Sequence, residues 1–343
     1  MIRNTLLFLV FFSFSLKARA QLELFAAKSD EITLQLVISS NHKMAAISWN
    51  RGNKCGFALA QQIDIQDQKI VLRQPDGHVL LEGQTNDRFI NARLNTGDEA
   101  LDVELHRMDI GRLSNWRYLR AEGSFRHKTD RGTGAIIDLN YLFPEDDKLQ
   151  MIETLAHYYG LDPLSGPAQS MMQADVNNYL DRYRQMSTAS EGNALEMNWM
   201  KSAVSLPVFV NHAVICFVKS SVVSAGQQSV RTHNDFALIA TDSQRSLAFE
   251  DVFTPESKEI LSVLLDAALR ELYTLDTSIS LRQAGFFSEM VMSNNNIVLG
   301  AGSIGFAYNV YELGPPAKGQ PILMLPLSVV EPLLQSDFKL LLR

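Results

Sequence analysis

A period of two runs through residues 21 to about 112 and then stops, and it constrains this chain more than any other feature. Ile32, Leu34, Leu36 and Ile38 alternate with polar neighbours. Successive side chains of a strand point to opposite faces, so alternation marks a half-buried strand. Ile63 and Ile65 repeat the pattern. Ile70-Val71-Leu72-Arg73 runs into Pro75-Asp76-Gly77, a turn sequence, and Val79-Leu80-Leu81 returns. Leu101, Val103 and Leu105 alternate again after Thr96-Gly97-Asp98. No helical period appears in this stretch. It predicts a small antiparallel β-meander or barrel-like domain over residues 21–112.

Beyond residue 113 the pattern changes. Tyr118 to Phe125 and Ala135 to Phe143 read as a hairpin, because Ile137, Leu139 and Tyr141 alternate. Three helices are then predicted. One is capped by Asp146 or Asp147, carries Leu149, Ile152, Leu155, Ala156 and Tyr159 on one face, and is stopped by Gly160. A second carries Met172, Val176, Tyr179, Leu180 and Tyr183. The third starts at Thr254-Pro255, a capping hydroxyl followed by a first-turn proline, with a stripe of Leu261, Leu264, Leu265, Ala268, Leu269 and Leu272. Strands are expected at Ala203–Val210, Ala213–Val218 and Phe236–Ala240, and at the end over Ile297–Leu299, Ile304–Tyr311 and Pro321–Leu327. Strands and helices without regular βαβ alternation imply an α+β fold over residues 113–343, with an antiparallel sheet and packed helices. At 343 residues, with 46% hydrophobic and 20% charged residues, the chain is long enough for both units and has globular composition.

Residues 1–20 read as a secretory signal peptide. Arg3 precedes an apolar run from Leu6 to Leu16, and Ala18-Arg19-Ala20 places small residues where a signal peptidase reads, so cleavage is expected after Ala20. The run falls short of the ~20 residues needed to span hydrocarbon, and no later segment of the sequence is apolar for long enough. The expected location is periplasmic or secreted. The net charge is −7, and losing Arg3, Lys17 and Arg19 with the leader makes the chain more acidic. That excludes nucleic-acid binding by a basic face.

The sequence offers no catalytic constellation. Its seven histidines contain no pair three or four residues apart, so no helix face presents a zinc pair, and no metal or cofactor is expected. Gly300-Ala301-Gly302-Ser303-Ile304-Gly305 matches a dinucleotide fingerprint, but Phe306 to Tyr311 follows where a helix should, so a hairpin turn is the better reading. His233-Asn234-Asp235 reads as a turn entering the strand at Phe236. Cys55 and Cys216 read as two buried free thiols, the alternative being a single bridge, which an exported protein permits. Glu250-Asp251 reads as a solvated helix approach. The densest feature is Phe306 to Gly319, where Tyr308, Asn309, Tyr311 and Glu312 combine aromatic faces with polar tips. These four are the candidate ligand-binding residues, able to stack on a sugar or anchor a peptide. The alternative is that the tyrosines are strand core and Asn309 and Glu312 serve local backbone groups.

The segment GSIGFAYNVYELGPPAKGQPILMLPLSVVEPLL resembles the closing part of the RsiV-type domain of unknown function. Leu247 to Phe253 resembles that family's segment ahead of its helix, and Ile136 to Pro144 with the two helices after it resembles the PdaC-type, deacetylase-associated region that precedes it. Secreted Bacteroidota proteins carry a similar arrangement. The resemblance implies an extracytoplasmic α+β module, and a lysozyme-like protein or a peptidoglycan fragment as partner. Where relatives carry a Tyr-x-Gly-Gly-Ala-His-Gly-like loop, this chain has Ser224-Ala225-Gly226-Gln227-Gln228-Ser229. The expected function is a non-catalytic binding or sensing module of the cell envelope. The alternatives are an envelope hydrolase or deacetylase built from carboxylates such as Glu250, Asp251 and Glu312, or a structural assembly component.

Overall fold

The computed structural model describes residues 22–29, 31–97, 99–126, 134–145, 149–189, 198–225 and 230–342. The predicted leader, the Asp146 and Asp147 caps and residues 226–229 of the variant loop lie outside the described residues.

The alternating first part forms nine strands: β1 Leu22–Lys28, β2 Thr33–Ser39, β3 Met44–Arg51, β4 Lys54–Ala60, β5 Gln62–Gln66, β6 Lys69–Arg73, β7 Val79–Thr85, β8 Phe89–Asn95 and β9 Ala100–Met108. They build one antiparallel sheet in the order β4-β3-β2-β1-β9-β8-β7-β6-β5. The two edge strands, β4 and β5, are separated in sequence by Gln61 alone, whose N–H donates to the Arg73 carbonyl at 3.0 Å. The sheet therefore curls enough to bring the end of β4 to the start of β5, and it encloses one interior in a barrel-like way, although no ladder joins the two edges among the described residues. All nine strands contribute to one interior cluster, including Phe25, Leu36, Ile47, Ile63, Ile70, Ile90 and Leu105. An eight- or nine-stranded curl is narrow enough for side chains to fill.

A six-stranded sheet follows, built from β10 Trp116–Arg126, β11 Gly134–Pro144, β12 Trp199–Val210, β13 Val214–Ala225, β14 Arg231–Ala240 and β15 Arg245–Leu247, in chain order. The pairing of β10 with β11 is the expected hairpin, but the sheet is not antiparallel throughout as expected: β11 and β12 run parallel, because a two-helix crossover rather than a hairpin joins them. Helices α1 Leu149–Tyr159 and α2 Ala168–Ala189 make the crossover between those two strands. In α2 the predicted stripe is inside, with Met172, Val176, Leu180 and Tyr183 buried. In α1 the prediction needs one correction. Leu149 is 71% exposed and Met151 is buried instead, together with Leu155, Ala156 and Tyr159. Leu149 opens the first turn, one position off the buried stripe. Gly160, at φ +76°, takes the left-handed position that ends the helix.

The tail holds α3 Phe249–Val252, α4 Ser257–Leu272, a three-stranded antiparallel sheet of β16 Ile297–Gly300, β17 Ser303–Ala307 and β18 Ile322–Pro326, and the short helices α5 Leu327–Val330 and α6 Ser336–Leu341. Helix α4 begins two residues after Pro255, so the expected Thr254 hydroxyl cap is not made: Glu256 is the N-cap residue and supplies no side-chain cap, while the Thr254 carbonyl accepts from both the N–H and the hydroxyl of Ser257. Leu261, Leu265 and Leu269 are fully buried, whereas Leu272 is 54% exposed at the fraying end. The glycine-rich motif is a hairpin: Gly300 pairs with Ser303, and Gly302 turns the chain at φ +66°.

The fold is α+β, with three sheets and few helices. The outer wall of β1–β4 supplies Leu22, Leu24, Val37, Met44 and Ala46 to the large core shared by the second and third sheets. Polar contacts fix the register of this seam. The Gln35 amide donates to the Val210 carbonyl and accepts from its N–H, and Ser48 Oγ accepts from Ala301 N–H at 2.9 Å. Among the described residues, no helix is long and apolar enough to cross a membrane.

Candidate functional site

Strand β14 is paired on one side with β13 along its length, but on the other side β15 covers only Leu238–Ala240. An uncovered strand edge is a row of unsatisfied N–H and C=O groups. Here three side-chain amides take the place of a strand. Asn309 Oδ1 accepts from Asn234 N–H at 2.8 Å, and Asn296 Oδ1 accepts from Phe236 N–H at 2.6 Å. Asn296 Nδ2 donates to the Asn234 carbonyl at 2.9 Å, and Gln320 Nε2 donates to the Thr232 carbonyl at 2.6 Å. These amides come from the loops around β16–β18 and fasten the third sheet to the second. His233, Asn234 and Asp235, expected as a turn, therefore lie inside a strand. Their polarity reflects an edge read by side chains.

Directly beyond this amide row, where β15 begins, a cleft of about 350 Å³ opens between α1, β14, β15 and the turn before β16. Phe236, Leu238, Leu247 and Ile297 make an apolar floor, and His157, Ser246 and Asn295 line its exposed rim. Tyr158 forms one wall. Its hydroxyl donates to the Asp235 carbonyl at 2.6 Å, and the Lys219 ammonium sits 5.7 Å from its ring centre and 3.3 Å from the Asp235 carboxylate. Burial pushes the Tyr158 phenol well above its ordinary pKa, so it acts as a neutral hydrogen-bonding wall. Helix α1 is held at this position by Gln244: Thr154 Oγ1 donates to its carbonyl, and its side-chain oxygen accepts from Met151 N–H.

None of the four sequence-predicted residues lines this cleft. The expected strand through Tyr311 ends at Ala307. Tyr308 is buried, and its hydroxyl donates to the Met292 carbonyl at 2.9 Å. Burial raises its pKa, with the Glu312 charge adding to the effect. Asn309 is buried in the amide row. Tyr311 is 51% exposed at φ +73°, an unusual backbone for a tyrosine, and Glu312 is exposed with its carboxylate 3.4 Å from Asn294 Nδ2. Tyr311 and Glu312 thus face solvent, while Tyr308 and Asn309 face inward. The three consecutive asparagines 294–296 are the signal that could have pointed to the cleft from the sequence. His157, Tyr158 and Ser246 carried none.

The carboxylates considered for catalysis have separate partners. Asp251 is 2.9 Å from Arg245 and accepts from Ala248 N–H at 2.8 Å; the hydrogen bond from Arg245 holds its carboxyl below the usual range. Glu250 is exposed one residue earlier, and Glu312 belongs to the Asn294 turn. Among the described residues, no three His, Cys, Asp or Glu side chains are grouped to hold a metal ion. Cys55 and Cys216 are free thiols; Cys216 is buried as expected, but Cys55 is only half-buried, and desolvation pushes each up to about 12.

Residues 250–328 match the sequence model of a family described as a protein of unknown function, DUF3298. That span runs from α3 into α5 and includes Asn295, Ile297 and all four candidate residues; His157, Tyr158 and Ser246 precede it. A crystal structure of a DUF3298 family member from Bacteroides fragilis is similar to this chain at a TM-score of 0.57 and 18% identity, covering 65% of this chain and 94% of that one. A DUF3298 family protein from Pseudomonas aeruginosa gives a TM-score of 0.47 and 13% identity over 65% of this chain and 95% of that one. No curated protein matches the chain.

Proposed function

We propose that this chain is an exported cell-envelope protein that binds a peptidoglycan-type glycan fragment without transforming it, in the cleft between α1, β14, β15 and Asn295. The observation that carries this reading is the composition of the cleft: an apolar floor of Phe236, Leu238, Leu247 and Ile297 beneath a rim of His157, Ser246 and Asn295. A sugar ring has one apolar face and a girdle of hydroxyls, and such a surface matches both. Binding is favoured over hydrolysis because Asp251 is already committed to Arg245 and Ala248. The leader-like residues 1–20 and the RsiV-type resemblance support an envelope location. We treat residues 21–112 as a barrel-like unit that positions the α+β unit of residues 113–343.

The test is calorimetric titration of soluble peptidoglycan fragments into the wild-type chain and into an Asn295→Ala/His157→Ala double variant. The expected result is saturable binding to the wild type, weakened at least about tenfold in the variant, equivalent to ~1.4 kcal/mol. Equal affinities, or no heat with either protein, defeat the glycan reading.

A protein partner such as a lysozyme-like enzyme is the second reading. It is favoured by the exposed Tyr311 and Glu312, which do not line the cleft, because an exposed aromatic beside polar groups is typical of interface anchors. Loss of lysozyme capture in Tyr311→Ala, with glycan binding intact, would establish that reading instead.

A further inference from the structure

Where the turn between β2 and β3 meets the second sheet, a histidine is held in a seam that its own sequence context gave no reason to notice. His42 packs against Tyr118 of β10, with ring centroids 4.0 Å apart and the ring planes tilted by 53°, and its Nδ1 lies 3.2 Å from the Ser39 hydroxyl. Ser39 is fully buried. The Tyr118 hydroxyl is buried too, lacks a well-formed hydrogen bond, and has Ser39 as its polar neighbour. On the second sheet the ring is faced by Asn140, Asp138 and Arg120. Asn140 Nδ2 donates to Asp138 Oδ1 at 2.9 Å, and Arg120 grips both Asp138 oxygens at 3.0 Å and also reaches Glu122 at 2.7 Å.

This arrangement suits a neutral imidazole. With Nδ1 as acceptor, the Ser39 O–H has a partner, and the Ser39 oxygen remains free for the Tyr118 O–H. A proton on Nδ1 reverses the first bond and leaves the Ser39 proton without an acceptor in a buried place, which is costly. The nearest carboxylates cannot easily compensate, since Asp138 is already held by Arg120 and Asn140. Burial is the largest influence on the ring and disfavours its charged form; Asn140 and Asp138 work in the other direction, and Arg120 adds to burial.

We infer that His42 is a pH-sensitive latch that fastens the β2–β3 turn of the barrel-like sheet to β10 and β11 when neutral and releases that corner when protonated. The release is local. The apolar seam of Leu22, Leu24, Val37 and Met44 does not titrate and keeps the two sheets together. The sign follows from linkage. A histidine whose folded pKa is depressed contributes stability above its ordinary value of ~6.5, and loses it as the pH falls toward the folded value. The latch is therefore closed near neutrality and opens in mild acid, within the range that histidine switches use.

Hydrogen exchange tests this on the full chain, with rates normalised to the intrinsic exchange rate at each pH. Peptides covering residues 39–46 and 116–120 of the wild type should lose protection several-fold between about pH 7.5 and pH 5. Peptides from the interior strands β7 and β8 should not. In His42→Gln, which carries neutral hydrogen-bonding groups, protection of the corner should not change with pH. Identical pH profiles for the two proteins overturn the inference, as does unchanged wild-type protection. If His42→Gln fails to fold, an NMR titration of the wild-type His42 ring decides: titration at or above the ordinary histidine value refutes the latch, and titration below it together with loss of protection supports it.

Discussion

Replacing Asn296 with alanine should destabilise the protein more than any other single change at the asparagine turn. Its side chain makes two hydrogen bonds to the outer edge of β14, from Phe236 N–H at 2.6 Å and to the Asn234 carbonyl at 2.9 Å. Both are partly buried, and alanine can replace neither. A buried donor or acceptor left without a partner costs about 1–3 kcal/mol. Two such groups, with some relief from entering water, place the loss at about 2–4 kcal/mol. Asn295 provides the internal control. It is exposed on the cleft rim, so Asn295→Ala should stay within about 0.5 kcal/mol of wild type. Urea unfolding gives both values, and exchange of the Phe236 amide reports the broken bond directly, since that proton loses its acceptor. If Asn296→Ala matched Asn295→Ala in stability and left the Phe236 amide protected, the idea that side-chain amides stand in for a missing strand would be wrong.

Other consequences follow from the same geometry. Ser205 Oγ accepts from Leu142 N–H at 2.8 Å and lies 3.0 Å from the Tyr159 hydroxyl, in a fully buried setting; Ser205→Ala should cost about 1–3 kcal/mol in urea unfolding. Asp251, with its pKa depressed by Arg245, supplies stability that is present above the ordinary carboxylate pKa of ~3.9 and fades as the pH drops through its folded value. Acid titration of stability should show that fall in the wild type and a shallower one in Asp251→Asn. With both thiols pushed up to about 12, neither Cys55 nor Cys216 should react quickly with a disulfide reagent near neutral pH in the native protein, and both should react after unfolding. Rapid native labelling of Cys216 would contradict its burial.

The sequence and the structure agree where one periodicity dominates a segment. Leu34, Leu36 and Ile38 line the interior of the curled sheet because alternation leaves a strand no other face to bury, and the stripe of α2 is inside for the equivalent helical reason. The mismatches arise where polar side chains do a backbone's work. His233-Asn234-Asp235 has the composition of a turn, yet it lies within β14, because its edge groups are satisfied from loops some sixty to ninety residues away in sequence. The strand expected through Tyr311 stops at Ala307 for a related reason: Asn309 must turn toward β14, and the chain follows it into the left-handed position at Tyr311. The cleft was illegible for a different reason. His157, Phe236, Ser246 and Asn295 are far apart in sequence, and no local spacing encodes their meeting. The curl that brings β4 and β5 end to end at Gln61 was likewise a matter of register, which alternation alone does not specify.

The proposal that the cleft beside the amide-covered edge of β14 holds a glycan and leaves it intact meets its sharpest test in chemical-shift mapping during titration with a defined peptidoglycan fragment. Shifts should concentrate at residues 154–158, 236–238, 246–247 and 295–297, with the fragment recovered unchanged. Shifts centred elsewhere, or a fragment that returns cleaved or deacetylated, would contradict it.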